Sequence, residues 1–146
     1  MANLKDKIEA EFEQIEQLIK EFPSCSQLPR LSILELAGVS TLLHNFYNGI
    51  ENILKQILKD RRLPLPTGDS WHKELLKTAV QEQIISLSLR DILGEYLAFR
   101  HFFIHAYALD LHPAKMEPLV EQCENIYLLF KKEINFFLQK DGAKTP

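Results

Sequence analysis

The chain carries only two cysteines, Cys25 and Cys123, far apart and with neither a Cys-x-x-Cys nor a Cys/His ligand spacing. No disulfide framework or metal knuckle can be read from them, so both are expected as reduced, partly buried thiols. Basic residues are not in excess. Seventeen Lys and Arg against 20 Asp and Glu give a net charge of −3. That balance argues against a protein that coats nucleic acid nonspecifically, because such binding rests on releasing counterions from many phosphates. No apolar run approaches the roughly 20 residues of a membrane span. The opening Met1-Ala2-Asn3-Leu4-Lys5-Asp6-Lys7 lacks a signal peptide's apolar stretch. The cytoplasm is therefore the expected address, with no membrane contact. Absence of a glycine-rich phosphate loop and of a Gly-x-Ser-x-Gly elbow removes support for nucleotide hydrolysis and acyl transfer. Convincing strand runs, two-residue hairpin signals, repeats and low-complexity tracts are also missing.

What remains is helical periodicity in a chain of 146 residues, 46% hydrophobic and 25% charged. That is enough to bury a core without metals or disulfides. Leu4, Ile8, Phe12, Ile15, Leu18, Ile19 and Phe22 form one apolar stripe that Pro23 ends. After a connector from Pro23 to Pro29, the stripe from Leu34 through Val39, Leu43, Phe46, Ile50, Ile53, Leu54 and Ile57 predicts a second helix to about Lys59. In it Gly38 and Gly49 are weak points or close-packing spots. Pro64, Pro66 and Gly68 define a loop. Asp69 or Ser70 caps a third helix through about Val80. The run Ser88-Leu89-Arg90-Asp91 has the form of a capping box opening a fourth helix, with Ile92, Leu93, Tyr96, Leu97, Phe99 and Phe103 on its apolar positions. Pro113 and Pro118 bracket the entry to a last helix carrying Val120, Cys123, Ile126, Phe130, Ile134 and Phe137. These elements predict an all-α, mostly antiparallel bundle of four to five helices. The single domain spans residues 1–140, and Asp141 to Pro146 form a disordered tail.

The fourth helix leads into Arg100-His101-Phe102-Phe103-Ile104-His105-Ala106-Tyr107, which gathers an always-charged guanidinium, imidazoles that titrate near neutral pH, and a phenol. Five residues of helix set Arg100 and His105 about 140° apart, so they do not share a face, whereas His101 and His105 do. Either the helix loosens before His105 or the working site draws on two chains. The plainer account of such a set is a surface charge, a partner for the helix dipole and a half-buried ring. Elsewhere, Lys55, Lys59, Arg61 and Arg62 form a candidate basic patch for RNA backbone, or simply a cationic last turn. His44, Asn48 and Glu51 line one face of the second helix, placed either to reach into a cleft between helices or, more simply, to form a solvated or satisfied polar stripe. His101, His105 and nearby His112 have helical ligand spacing, but no Glu lies inside the pair and no third carboxylate is evident, so no metal and no cofactor are expected. The aromatics Phe99, Phe102, Phe103, Phe130, Phe136 and Phe137 read as core and interface.

The pattern Arg-x4-His-x-Tyr at Arg100, His105 and Tyr107 resembles that of the HEPN superfamily, and specifically its HepT-like ribonuclease toxins. The resemblance implies a homodimer whose key helices face each other across a cleft. It also implies metal-independent RNA cleavage with Arg100 and His105 as the catalytic pair, and a partner: a cognate minimal nucleotidyltransferase antitoxin that adenylylates Tyr107. Two positions depart from the family pattern. His101 stands where Asn or Asp is frequent, and as a group that donates and accepts it can serve as an auxiliary; Ile104 stands where close relatives often carry a basic residue. A reading from another class is a non-catalytic helical subunit that docks a nucleotidyltransferase and shapes its substrate site. Such a subunit has no need of both Arg100 and His105.

Overall fold

The computed structural model describes residues 3–143. Five helices, α1 (Leu4–Ile19), α2 (Ile33–Asp60), α3 (Trp71–Gln81), α4 (Leu87–His105) and α5 (Pro113–Ala143), are joined with two 3-10 turns at Cys25–Arg30 and Ala108–Asp110. Among the described residues there is no strand. The fold is the all-α bundle expected from periodicity, with five helices.

The second helix is the one the others surround. A reciprocal capping box starts it, with Ser32 Oγ accepting from Glu35 N at 3.1 Å and Glu35 Oε1 accepting from Ser32 N at 2.9 Å. Its middle is buried almost all round, at Leu43, Phe46, Tyr47, Ile50, Ile53, Leu54, Ile57 and Leu58, as befits a helix packed on several sides. Gly49 lets α1 come close: a Cβ placed there would lie 2.8 Å from Ile15 Cγ1. α2 stops in a Schellman arrangement, Leu63 N donating to Leu58 O at 2.9 Å and Arg62 N to Lys59 O at 3.0 Å, with Arg62 at φ 59°. α3 ends the same way around Gln83 at φ 60°. Both left-handed caps use long polar side chains where glycine is usual, and neither stop was visible in the sequence as a glycine.

Three expected boundaries shift. The fourth helix is capped by Ser86, whose Oγ accepts from Leu89 N at 3.2 Å, so Ser88 lies inside it and Asp91 pairs with Arg90 instead. Ser86 prevails because Glu133 of α5 comes across to it, accepting from Ser86 N at 2.6 Å and from its Oγ at 2.9 Å. The last helix begins at Pro113 and contains Pro118; a proline this near the start sacrifices one early backbone bond without stopping the helix. That helix continues through Ala143, three residues into the stretch read as a tail. Lys144, Thr145 and Pro146 lie outside the described residues.

α4 and α5 run antiparallel, since Ser86 meets Glu133 while Gln122 Nε2 donates to Glu95 and the buried Tyr96 hydroxyl donates to Leu119 O at 2.7 Å. α2 and α4 are antiparallel too, with Asn48 opposite Arg100 and His44 opposite Phe103. α1 closes onto α5, where the Tyr127 hydroxyl sits between Phe12 O and the Glu16 carboxylate, and Lys131 Nζ donates to Glu16 at 2.9 Å. Both cysteines are free thiols, Cys25 half-buried and Cys123 buried, with burial pushing the Cys123 thiol up to about 12. No helix is long and apolar enough to cross a membrane among the described residues.

Candidate functional site

α4 stays helical through His105, and Ala106 turns the chain extended. The helix therefore does not loosen between Arg100 and His105. Arg100 is half-buried and reaches toward α2, where its Nε donates to Asn48 Oδ1 at 3.3 Å. His105 ends the helix exposed, its ring 4.7 Å from that of His101 in an edge-on arrangement. Phe102 and Ile104 are also exposed between them. Tyr107 follows in extended backbone, 81% exposed, with its N–H donating to Asp110 Oδ2 at 3.2 Å.

The polar stripe of α2 is engaged at every step. His44 packs its ring 5.8 Å from Phe103. One turn on, Asn48 holds Arg100. One turn further, Glu51 is 2% exposed and its carboxylate lies 2.7 Å from His72 Nδ1 of α3. Another turn along, Lys55 Nζ lies 5.2 Å from the centre of the Trp71 ring, which itself lies 3.6 Å from the His72 ring at a tilt of 31°. A buried carboxylate needs such a partner, because an isolated charge in the interior is costly. Tyr47 sits beneath the stripe, fully buried, with its hydroxyl beside the Glu51 carboxylate. Burial, and next the Glu51 charge, push that phenol far above its ordinary range. His44 moves the other way. Burial and then the Arg100 charge lower it below the usual histidine value, and Glu51 opposes them.

Of the four basic residues at the end of α2, Lys59, Arg61 and Arg62 are exposed and Lys55 is half-buried in the stripe; Arg61 also lies 4.8 Å over the Phe137 ring of α5. Among the described residues, no three His, Cys, Asp or Glu side chains are grouped to hold a metal ion. The motif itself lies on an open face. A groove of about 820 Å³ lies elsewhere, lined by Ile85, Leu87, Leu129 and Phe136 near the start of α4.

Sequence reasoning singled out Arg100, His105 and Tyr107, and set Asn48 on a polar face of α2, but did not pair Asn48 with Arg100. His72 passed unnoticed because its partner is 21 residues away. Glu51 did carry a signal, a lone carboxylate among Ile50, Ile53 and Leu54.

A helical bundle of this size, with Arg-x4-His-x-Tyr closing its fourth helix and the arginine steadied from the second, defines a small all-α domain with a cationic helix-end site. A family model described as HepT-like protein matches residues 38–140, and the chain belongs to this HEPN-type family. The match takes in most of α2 and all of α3 and α4, and leaves α1 outside. No curated protein and no solved structure matches the chain.

Proposed function

We propose that the protein is a metal-independent endoribonuclease toxin, paired with a minimal nucleotidyltransferase antitoxin. The observation that carries this reading is the placement of Arg100: with Nε committed to Asn48, the two Nη groups form the remaining edge, suited to a bidentate grip on phosphate. The 2′-hydroxyl attacks phosphorus, Arg100 offsets the charge gathering on the phosphorane, and His105 transfers a proton. Products are a 2′,3′-cyclic phosphate and a 5′-hydroxyl, and DNA is inert because it lacks the nucleophile. Since α4 holds Arg100 and His105 on different sides, the working site combines two chains in a homodimer. Phe102, Ile104 and Leu109 supply exposed apolar surface beside His105 for that contact. His101, edge-on to His105, is an auxiliary, and Lys55 extends the RNA-facing stripe beyond Arg100. Tyr107, open to solvent, is the position the antitoxin adenylylates; a bulky anionic phosphodiester two residues from His105 then occupies the place of substrate phosphate.

The test is cleavage of single-stranded RNA by wild type, His105→Ala and Arg100→Ala, with chelator present and with fragment ends analysed. Both variants are expected to stay folded by circular dichroism and to lose about 10²-fold or more in rate. Arg100→Lys should recover only part of it, because an ammonium lacks the fork. Cleavage by His105→Ala at the wild-type rate would refute the assignment and favour a non-catalytic docking subunit for a nucleotidyltransferase.

A further inference from the structure

The histidine that shares Arg100's side of the molecule is His44, 56 residues earlier in the chain. Two contacts between α2 and α4 place it. Asn48 holds Arg100 at 3.3 Å, and one helical turn along both helices His44 lies against Phe103 at 5.8 Å. The helices are antiparallel, so this step leads toward the His105 end of α4. His44 thus sits about one turn, roughly 5.4 Å of rise, from the residue that holds Arg100, on the same interhelical seam, and within reach of the Arg100 charge. His105 has no such relation to Arg100 within one chain, because α4 keeps its helical turn between them.

We propose that His44 is a further catalytic residue of this site, the base that accepts the ribose 2′-hydroxyl proton beside Arg100. The proposal rests on the phosphodiester-cleavage reading above and divides its labour. His44 takes the proton as the 2′-oxygen bonds to phosphorus, the bond from phosphorus to the 5′-oxygen breaks, and a His105 imidazolium gives its proton to the departing oxygen. A base must be neutral before it acts, and the surroundings of His44 favour that form. Burial and Arg100 disfavour a second positive charge, while Glu51, on the same helix and bonded to His72 of α3, opposes them. Asp110, in the 3-10 turn that packs on α2, is engaged by the Tyr107 N–H. Among the described residues, Nδ1 is the one of the two His44 ring nitrogens that is shut in without a partner. The half-buried ring therefore has Nε2 as its working atom.

A merely structural His44 would be an aromatic filler against Phe103, and a phenylalanine fills that role equally well. The decisive variant is His44→Phe, with His44→Ala beside it, assayed as the intact protein on single-stranded RNA across a pH series. Both are expected to lose about 10²-fold in rate and to lose the acid limb of the profile. In wild type that limb should lie below the usual histidine value, since activity falls as pH drops through the base's depressed pKa. Added imidazole should restore part of the rate to His44→Ala and none to His44→Phe, whose ring fills the space. Should His44→Ala fail to fold, His44→Phe still decides. Cleavage by His44→Phe at the wild-type rate, with Arg100→Ala and His105→Ala both impaired, overturns this role and leaves the ribonuclease reading intact. If wild type leaves RNA uncut, both fall.

Discussion

Replacing Gly49 with alanine probes how tightly α1 is docked. In a helix interior that change ordinarily stabilises by about 1 kcal/mol, because glycine carries the larger conformational entropy when unfolded. Here the new Cβ would lie 2.8 Å from Ile15 Cγ1 and 2.9 Å from Ile15 Cδ1, and Ile15 is itself buried with little room to retreat. Overpacking of this kind costs about 1–3 kcal/mol. The two effects combine to a net change from near zero to about 2 kcal/mol of destabilisation. Gly38, on the same helix with nothing within 4 Å of its would-be Cβ, is the control, and Gly38→Ala should stabilise by about 0.5–1 kcal/mol. Ile15→Ala removes both offending atoms, at its own cavity cost of about 2–5 kcal/mol. In that background Gly49→Ala should become stabilising, giving a coupling of about 1–3 kcal/mol in a double-mutant cycle. Urea unfolding with an unchanged m-value measures wild type and all four variants. Equal gains from Gly49→Ala and Gly38→Ala, additive with Ile15→Ala, would refute the close approach. The result bears on family structure too, because α1 lies outside the matched residues 38–140.

Three further outcomes are expected. Light scattering at micromolar concentration should find a homodimer, whereas a clean monomer would remove the two-chain site. Incubation with the partner nucleotidyltransferase, ATP and magnesium should add adenylyl mass to wild type and none to Tyr107→Phe; mass elsewhere, or none, removes that regulation and leaves the nuclease assignment standing. Glu16→Gln should lower stability at neutral pH. Tyr127 and then Lys131 hold the Glu16 carboxylate below its ordinary 4.5, so its contribution is present above that value and lost as pH falls through the lower folded one. The side chain is 40% exposed, so the effect is screened and modest. A difference between the two proteins that fails to close in acid would contradict it.

The helices were legible because apolar stripes at three and four residue spacing must face a core, and their spacing survives without any knowledge of neighbours. What failed depended on residues distant in the chain. Ser86 and Ser88 are equivalent locally; Glu133, 47 residues away, selects between them. The end of α3 at Gln83 has no glycine to announce it. For the site, the motif named Arg100 and His105 but not their surroundings. Asn48 as Arg100's anchor, and His72 as the partner of Glu51, depend on how α2, α3 and α4 pack. The ring partners of the basic cluster were hidden for a related reason, since Lys55 and Arg61 meet Trp71 and Phe137 on two different neighbouring helices.

The bonds from Ser86 to Glu133 and from Tyr96 to Leu119 tie α4 to α5 at two points, and a rod clamped twice cannot pivot. Beyond Tyr96 it is a cantilever. Nine residues of helix to His105 amount to about 14 Å, so a tilt of about 5° at the second clamp carries the imidazole by just over 1 Å. Displacements of that size are enough to cost about 10²-fold in rate where groups must be aligned. Arg100 sits partway along the overhang with Asn48 as its stay, and Phe103 against His44 is a second one nearer the tip. Loosening these stays by mutation would shift His105 without touching it.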